Sequence, residues 1–295
     1  MLDQVDVLDA VRRRYSCRTY DGRPLSAALW ADLQALVNAT GAGPHGTEPR
    51  IELLPVVGDD RARVRLGTYG FISRPSAYMV GVVSAAGDAG VLEDLGYVLE
   101  ALVLRTTLLK LGTVWLGGTF TRGRFRRALE LGQSESLPAV IAFGHAAERA
   151  RASDGVIRRG AGADQRLSWE ELFFEVDGGA APFGRPLSRE RAGTLTPALD
   201  AVRMGPSASN KQPWRIVRDG DRWHFYLHRT PGYRRRNNLA TVADIQRLDM
   251  GIAMCHFEAA CHQLGIGGGW SFLDPQHPLL DALTTYVATW TDGQR

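Results

Sequence analysis

The chain says the same thing twice, and that restricts what it can fold into more than any other feature. RPLS stands at 23–26 and again at 185–188, 162 residues on. A helical stretch follows each copy, then a Gly-Pro pair at Gly43-Pro44 and at Gly205-Pro206, again 162 apart. Further along, LGTVWLGG carries Gly112 and Trp115 while LGIGGGW carries Gly265 and Trp270, at offsets of 153 and 155. Order is kept while spacing drifts. A period this long is not that of a solenoid; it predicts two fused copies of one domain, with boundaries at 1–175 and 176–295.

Within each copy, helix and strand patterns mix. Val7 and Val11 mark a helix over 4–14. Ser26 is the N-cap of a second, with Leu29, Leu33, Leu36 and Val37 at helical spacing and Leu25 and Trp30 as a hydrophobic staple. Residues 51–57, 77–83 and 139–144 read as strands and 95–111 as a long helix with Leu95, Leu99, Leu102 and Leu109 inward. In the second copy, 215–218 and 223–227 flank Asp219-Gly220 as a hairpin, and 249–264 repeats the long helix. The prediction is an α+β fold with a largely antiparallel or mixed sheet. The connection between copies is rich in Gly, Ala and Arg, apart from an apolar run at 169–174 that must dock somewhere.

An apolar content of 44% is ample for a core. The charge of +3 comes mostly from arginine, since the lysines are Lys110 and Lys211 alone. The basic run 234–236 lacks a basic helix or aromatic platform, so no nucleic-acid partner is expected. No apolar stretch approaches the ~20 residues that span a bilayer, and the acidic, amphipathic start is unlike a secretory leader, so no membrane partner and a cytoplasmic location are expected. Cys17, Cys255 and Cys261 are too few and too irregular for disulfides, and Cys255, His256, Cys261 and His262 cannot converge from one helix, so no metal site is expected. GIGGGW at 265–270 lacks the lysine and spacing of a phosphate loop, and no Ser-His-Asp or Cys-His set stands out.

Three segments carry candidate chemistry. In RYSCR, at 14–18, Arg14, Ser16 and Arg18 share a face if the chain is extended, and two guanidiniums with a hydroxyl suit a phosphomonoester; the alternative is capping of helix carbonyls. PSASNKQPW, at 206–214, presents Ser207, Ser209, Asn210 and Gln212 between two stiffening prolines, which suits a planar ring with several acceptors; the alternative is a turn that satisfies itself. In GTVWLGG, at 112–118, Gly112 is explained as a helix C-terminal glycine, while Gly117 and Gly118 let backbone approach a flat ligand.

With these motifs the chain resembles the FMN-dependent nitroreductase superfamily, in particular its single-chain members with two fused domains. The resemblance implies an interlocked α+β sandwich, a pseudo-dimer within one chain, with flavin at the junction. It implies Arg14, Ser16 and Arg18 on the phosphate, Pro206, Ser207, Ser209, Asn210 and Gln212 at the ring edge, and a Gly117 or Gly118 N–H near flavin N5, beside Trp115. A further phosphate arginine is Arg166, with Arg158 or Arg159 as alternatives. The second copy lacks RxSxR, reading GGAAPFG before RPLS, and the first copy reads PHGTE at 44–48 in place of PSASN. Both losses fall on one site, so a single FMN per chain is expected.

The function implied is transfer of hydride or electrons from NAD(P)H to a small unsaturated, nitroaromatic or quinone acceptor by a monomer. The rivals are a biosynthetic oxidase acting directly on its substrate and a flavin-sequestering protein without turnover. Tyr69, Phe71, Trp115 and Trp214 are candidates for the acceptor pocket, the alternative for most of them being core packing.

Overall fold

The computed structural model describes residues 2, 5–56, 71–85, 90–148, 165–178, 182–233, 243–278 and 280–293. Helix α1 (Val7–Arg13) opens under an Asp6 cap that accepts from the Asp9 N–H at 2.9 Å. Helix α2 (Ala27–Asn38) starts as predicted, with Ser26 Oγ accepting from the Leu29 N–H. Strands β1 (Arg50–Pro55) and β2 (Ala77–Ser84) pair antiparallel. Helix α3 (Val91–Leu108) is followed by β3 (Gly112–Leu116), α4 (Arg122–Ala128), β4 (Glu135–Ser136) and β5 (Val140–Gly144). These strands form one sheet in the order β1-β2-β5-β3, with β4 against β2.

The second half supplies α5 (Trp169–Leu172), β6 (Phe173–Glu175), β7 (Arg185–Pro186), α6 (Arg189–Ala192) and α7 (Thr196–Met204). Then come β8 (Trp214–Asp219), β9 (Arg222–His228), α8 (Ile245–Gln263), β10 (Gly268–Ser271) and β11 (Thr284–Asp292). The second sheet runs β10-β11-β9-β8-β6-β7. Its stretch β8-β9-β11-β10 has the same order, by position along the chain, as β1-β2-β5-β3 in the first. The fold is α+β.

Gly112 differs from its expected role. Helix α3 ends earlier, and Lys110 takes the left-handed residue after the cap, at φ 62°, with Lys110 N–H on Thr107 O and Leu111 N–H on Thr106 O. Gly265, at φ 74°, closes α8 with the same pair of bonds, to His262 O and Cys261 O. Gly265 therefore corresponds to Lys110 at the offset of 155 that also relates Trp115 to Trp270. Gly112 answers a different need: a Cβ there would stand 2.7 Å from Cys17 Sγ.

Two elements cross between halves. Val7, Ala10 and Val11 of α1 share a core with Leu199, Val202 and Met250, and β6 pairs parallel with β8. The apolar run at 169–174 docks there, with Trp169, Leu172 and Phe173 buried. Helices α3 and α8 lie together at the centre. They meet at Gly96, whose added Cβ would sit 2.2 Å from the Leu248 carbonyl oxygen, and at Gly251, whose Cβ would sit 1.9 Å from that of Glu93.

Candidate active site

Past α1 the backbone turns extended at Arg14, with φ −64° and ψ 127°. Ser16 then bridges in parallel to Thr113 of β3, and the Cys17 N–H donates to the Thr113 carbonyl at 2.9 Å. Alternation follows from that geometry: Cys17 is buried in the core, while Arg14, Ser16 and Arg18 line a cavity of about 700 Å³. Arg14 does not cap helix carbonyls in the bonds described, and its Nε is buried without a hydrogen-bond partner among the described residues. Burial lowers the Arg14 pKa, with Glu100 opposing.

Trp115, Gly117 and Gly118 line the same cavity from the end of β3. Trp115 Nε1 donates to Glu100 Oε2 at 2.7 Å, which fixes the indole against α3. Gly117 is needed for close approach, since a Cβ there would lie 2.8 Å from Ile245 Cδ1. Its carbonyl accepts from Arg122 Nη2.

Across the cavity stand Pro206, Ser207, Ser209 and Asn210. The loop is strained: Ser209, Asn210 and Gln212 have φ of 50°, 53° and 48°, left-handed conformations that cost non-glycine residues about 1 kcal/mol or more each. Its bonds hold that shape. Ser207 Oγ accepts from the Gln212 N–H at 2.9 Å, Ser209 Oγ meets the Tyr233 hydroxyl at 3.2 Å, and the Ala208 N–H donates to Asp249 Oδ1 at 3.0 Å. The loop is thus partly self-satisfied while still forming a cavity wall.

Two expected contacts differ. Gln212 is buried behind the loop, its Oε1 accepting from the Leu167 N–H and its Nε2 donating to the carbonyls of Gln165 and Asn210. It braces the wall and does not line the cavity. Arg166 does line it, but bonds Asn210 Oδ1 and the Met204 carbonyl. Arg166 therefore stands beside the amide loop. Trp214, named for the acceptor pocket, is fully buried in the core, because it begins β8 facing α7 and α8. Phe71 lines the cavity; Tyr69, Arg158 and Arg159 lie outside the described residues.

The sequence reading missed Asp249 and Tyr233, both in the wall. Burial pushes the Asp249 carboxyl up to about 8, reinforced by Asp244 and opposed by the Ala208 N–H. Its one signal was an acid placed at helical spacing among Ile245, Leu248 and Ile252, which also line the cavity. Arg14, Arg18 and Arg166 with a neutral Asp249 leave the cavity cationic, suited to an anionic ligand.

At the corresponding place in the other half, the described groups bond one another. Asp94, which stands to α3 as Asp249 stands to α8, accepts from His45 N–H at 2.8 Å and Thr47 N–H at 2.7 Å. His45 stacks on Phe272 with ring centroids 3.7 Å apart. By the repeat offsets these are the counterparts of Ser207 and Gly117, which face the cavity.

Among curated proteins nothing matches the sequence. A family model described as "Putative TM nitroreductase" matches residues 6–261. The crystal structure of a nitroreductase from Thermotoga maritima MSB8 superposes with a TM-score of 0.59 at 14% identity, covering 97% of this chain and 94% of that one. An FMN-dependent nitroreductase from Clostridium difficile R20291 gives 0.40 at 15% identity, over 49% of this chain and 92% of its own. A nitroreductase in complex with FMN from Desulfovibrio desulfuricans gives 0.38 at 24% identity, over 51% and 95%. The family match spans most of the sequence and the Thermotoga fold extends over nearly all of it: this chain belongs to the nitroreductase family.

Proposed function

We propose that the cavity holds one FMN per chain and that the protein is an oxidoreductase taking electrons from NAD(P)H and delivering them to a small unsaturated, nitroaromatic or quinone acceptor. The observation that carries this reading is the meeting of RxSxR, the Gly-Gly turn and the PSASN loop around one cationic cavity, from three distant parts of the sequence. The orphaned Arg14 Nε in its wall fits an anionic tail, and a volume of about 700 Å³ suits a ligand of this size. Arg14, Ser16 and Arg18 take the phosphate; Ser207, Ser209 and Asn210 take the ring edge, with Arg166 holding Asn210 in place. Bound flavin supplies the redox chemistry. The chain's own part is orientation, a positive field that favours reduced, anionic flavin, and exclusion of water. The stacked pair His45 and Phe272 supports a single site.

The repeated strand order and the equivalent capping of both long helices support two fused copies, near 1–175 and 176–295, acting as an intramolecular pseudo-dimer and hence a monomer.

The test is an absorbance spectrum of purified protein with a flavin-to-chain ratio. We expect a ratio near one, loss of bound flavin in Arg18→Ala with the fold intact by circular dichroism, and bleaching on addition of NADH or NADPH. A ratio near two would end the single-site reading. Full occupancy in Arg18→Ala would remove the phosphate assignment, and flavin that stays oxidised with both nicotinamides would remove the reductant.

A further inference from the structure

On the face of the second sheet turned away from α8, two imidazole nitrogens are buried with no hydrogen-bond partner among the described residues. Trp223, Phe225 and Leu227 of β9 point into the large core, so His224 and Tyr226 point the other way, where Phe183, Val217 and Tyr226 form a small apolar cluster. His224 is 1% exposed. Its tautomer is set by a chain of hydroxyls. The Ser271 carbonyl can only accept, so the Tyr286 hydroxyl donates to it, at 3.2 Å. Tyr286 then accepts from the Thr289 hydroxyl at 2.8 Å, which leaves Thr289 Oγ1 to accept the Nδ1–H of His224 at 2.7 Å. Nε2 is left with a bare lone pair, and among the described residues it has no hydrogen-bond partner.

His277, on the loop between β10 and β11, brings a second buried and unpartnered Nε2 beside it, the two ring centroids 4.9 Å apart. Asp219 Oδ2, at the end of β8, lies 3.6 Å from His277 Nε2 and 3.9 Å from His224 Nε2, and the ligand atoms of all three lie within 4.8 Å of one another. The buried Tyr226 hydroxyl, two residues along the same strand face, is likewise unpartnered.

We propose that Asp219, His224 and His277 bind one divalent cation of the zinc class. Two imidazoles and a carboxylate are a recurrent zinc set, and the outer bond from His224 Nδ1–H to Thr289 is the kind that fixes a ligating ring. Tetrahedral coordination at bonds of about 2.0–2.1 Å sets ligand atoms roughly 3.3 Å apart, so the observed spacings need only a modest contraction. The partly exposed Asp219 side chain and His277 on its loop supply that movement, and the exposed side of Asp219 leaves a fourth position for water. The site is separate from the flavin cavity: Asp219 lies at the far end of β8 from the PSASN loop, roughly 17 Å along the strand. Bound metal there ties the β10–β11 loop to the β8–β9 hairpin. Motif spacing does not reveal it, because the ligands are 5 and 53 residues apart and match no ligand spacing.

The experiment uses tag-free protein with its flavin, stripped with a chelator and desalted, then titrated with zinc by calorimetry and followed by zinc-edge absorption spectroscopy. We expect one zinc per chain, a spectrum showing two imidazoles, and a melting temperature that rises with zinc. His277→Gln and Asp219→Asn alter partly exposed side chains and keep the fold; each should weaken binding at least about tenfold, and Thr289→Val should weaken it about 10–100-fold. No stoichiometric zinc in the wild type, or unchanged binding in both His277→Gln and Asp219→Asn, overturns the proposal. Neither result touches the flavin assignment, whose readout is occupancy of the other cavity.

Discussion

Asp249 holds a proton at neutral pH because its carboxyl is buried in the cavity wall with a single backbone donor on Oδ1 and no partner on Oδ2. With a folded pKa of about 8 against an ordinary 3.8, the folded protein binds more protons than the unfolded chain between those values. Stability is therefore highest below the unfolded pKa and is lost as pH rises toward the folded one, by an amount on the order of 5 kcal/mol as an upper bound. In Asp249→Asn the amide reproduces the protonated acid, with Oδ1 still accepting from Ala208. Melting temperatures followed from about pH 5 to 9 should fall for the wild type and stay nearly flat for Asp249→Asn. Parallel curves would mean that Asp249 ionises freely. The sequence could place Arg14, Ser16, Arg18 and Asn210 at a cavity because their donors are short-range and clustered. It could not single out Asp249, whose role comes from what packs around it, nor the buried fate of Trp214, which depends on which face of β8 meets α8.

At the scale of elements, β3 shows how a motif is aimed. RxSxR reaches the cavity only because it lies against β3, and that contact requires Gly112 opposite Cys17. Gly112→Ala must push the strands apart, costing about 1–3 kcal/mol. Flavin affinity should fall with it, because Ser16 and Arg18 ride on the displaced strand; equal affinity in a destabilised variant would detach the motif from β3. Lys110→Gly works in the opposite direction. It relieves a left-handed lysine at the end of α3 and should add about 0.5–1 kcal/mol, read from denaturant midpoints. The first long helix was legible from its spacing of leucines and the second as its repeat, but their ends shifted: Gly112 looked like the cap because glycine usually is one. β4, β6 and β7 are two or three residues each and are defined by their partners, so no periodicity announces them. The sequence offsets of 155 and 162 predict a duplication, and the matching strand order agrees with it; the docking of α1 and β6 against the later elements was not legible, since chain order carries no record of which core an element joins.

For the molecule as a whole, the crossing of α3 and α8 determines whether there is a cavity at all. Gly96 and Gly251 are 155 residues apart, the same offset that relates the helix caps and the two tryptophans, so each helix offers its glycine at the equivalent turn. At both places the nearest atoms are backbone: the Leu248 carbonyl for Gly96, and the Glu93 carbonyl with the Tyr97 nitrogen for Gly251. Backbone cannot rotate out of the way as a side chain can. Even one methyl group must therefore separate the helices, at a cost of about 3 kcal/mol or more. Because Ile245, Leu248, Asp249 and Ile252 of α8 wall the cavity, the same movement distorts the site proposed for flavin. Gly251→Ala should thus lose stability and flavin together. Gly123→Ala, at a helix position where an added Cβ meets nothing, should change stability by no more than about 1 kcal/mol. Thermal melts and flavin retention on the two variants decide the matter. If Gly251→Ala melts and retains flavin like the wild type, the helices do not depend on touching at their glycines. The close joining of the two halves would then need another explanation.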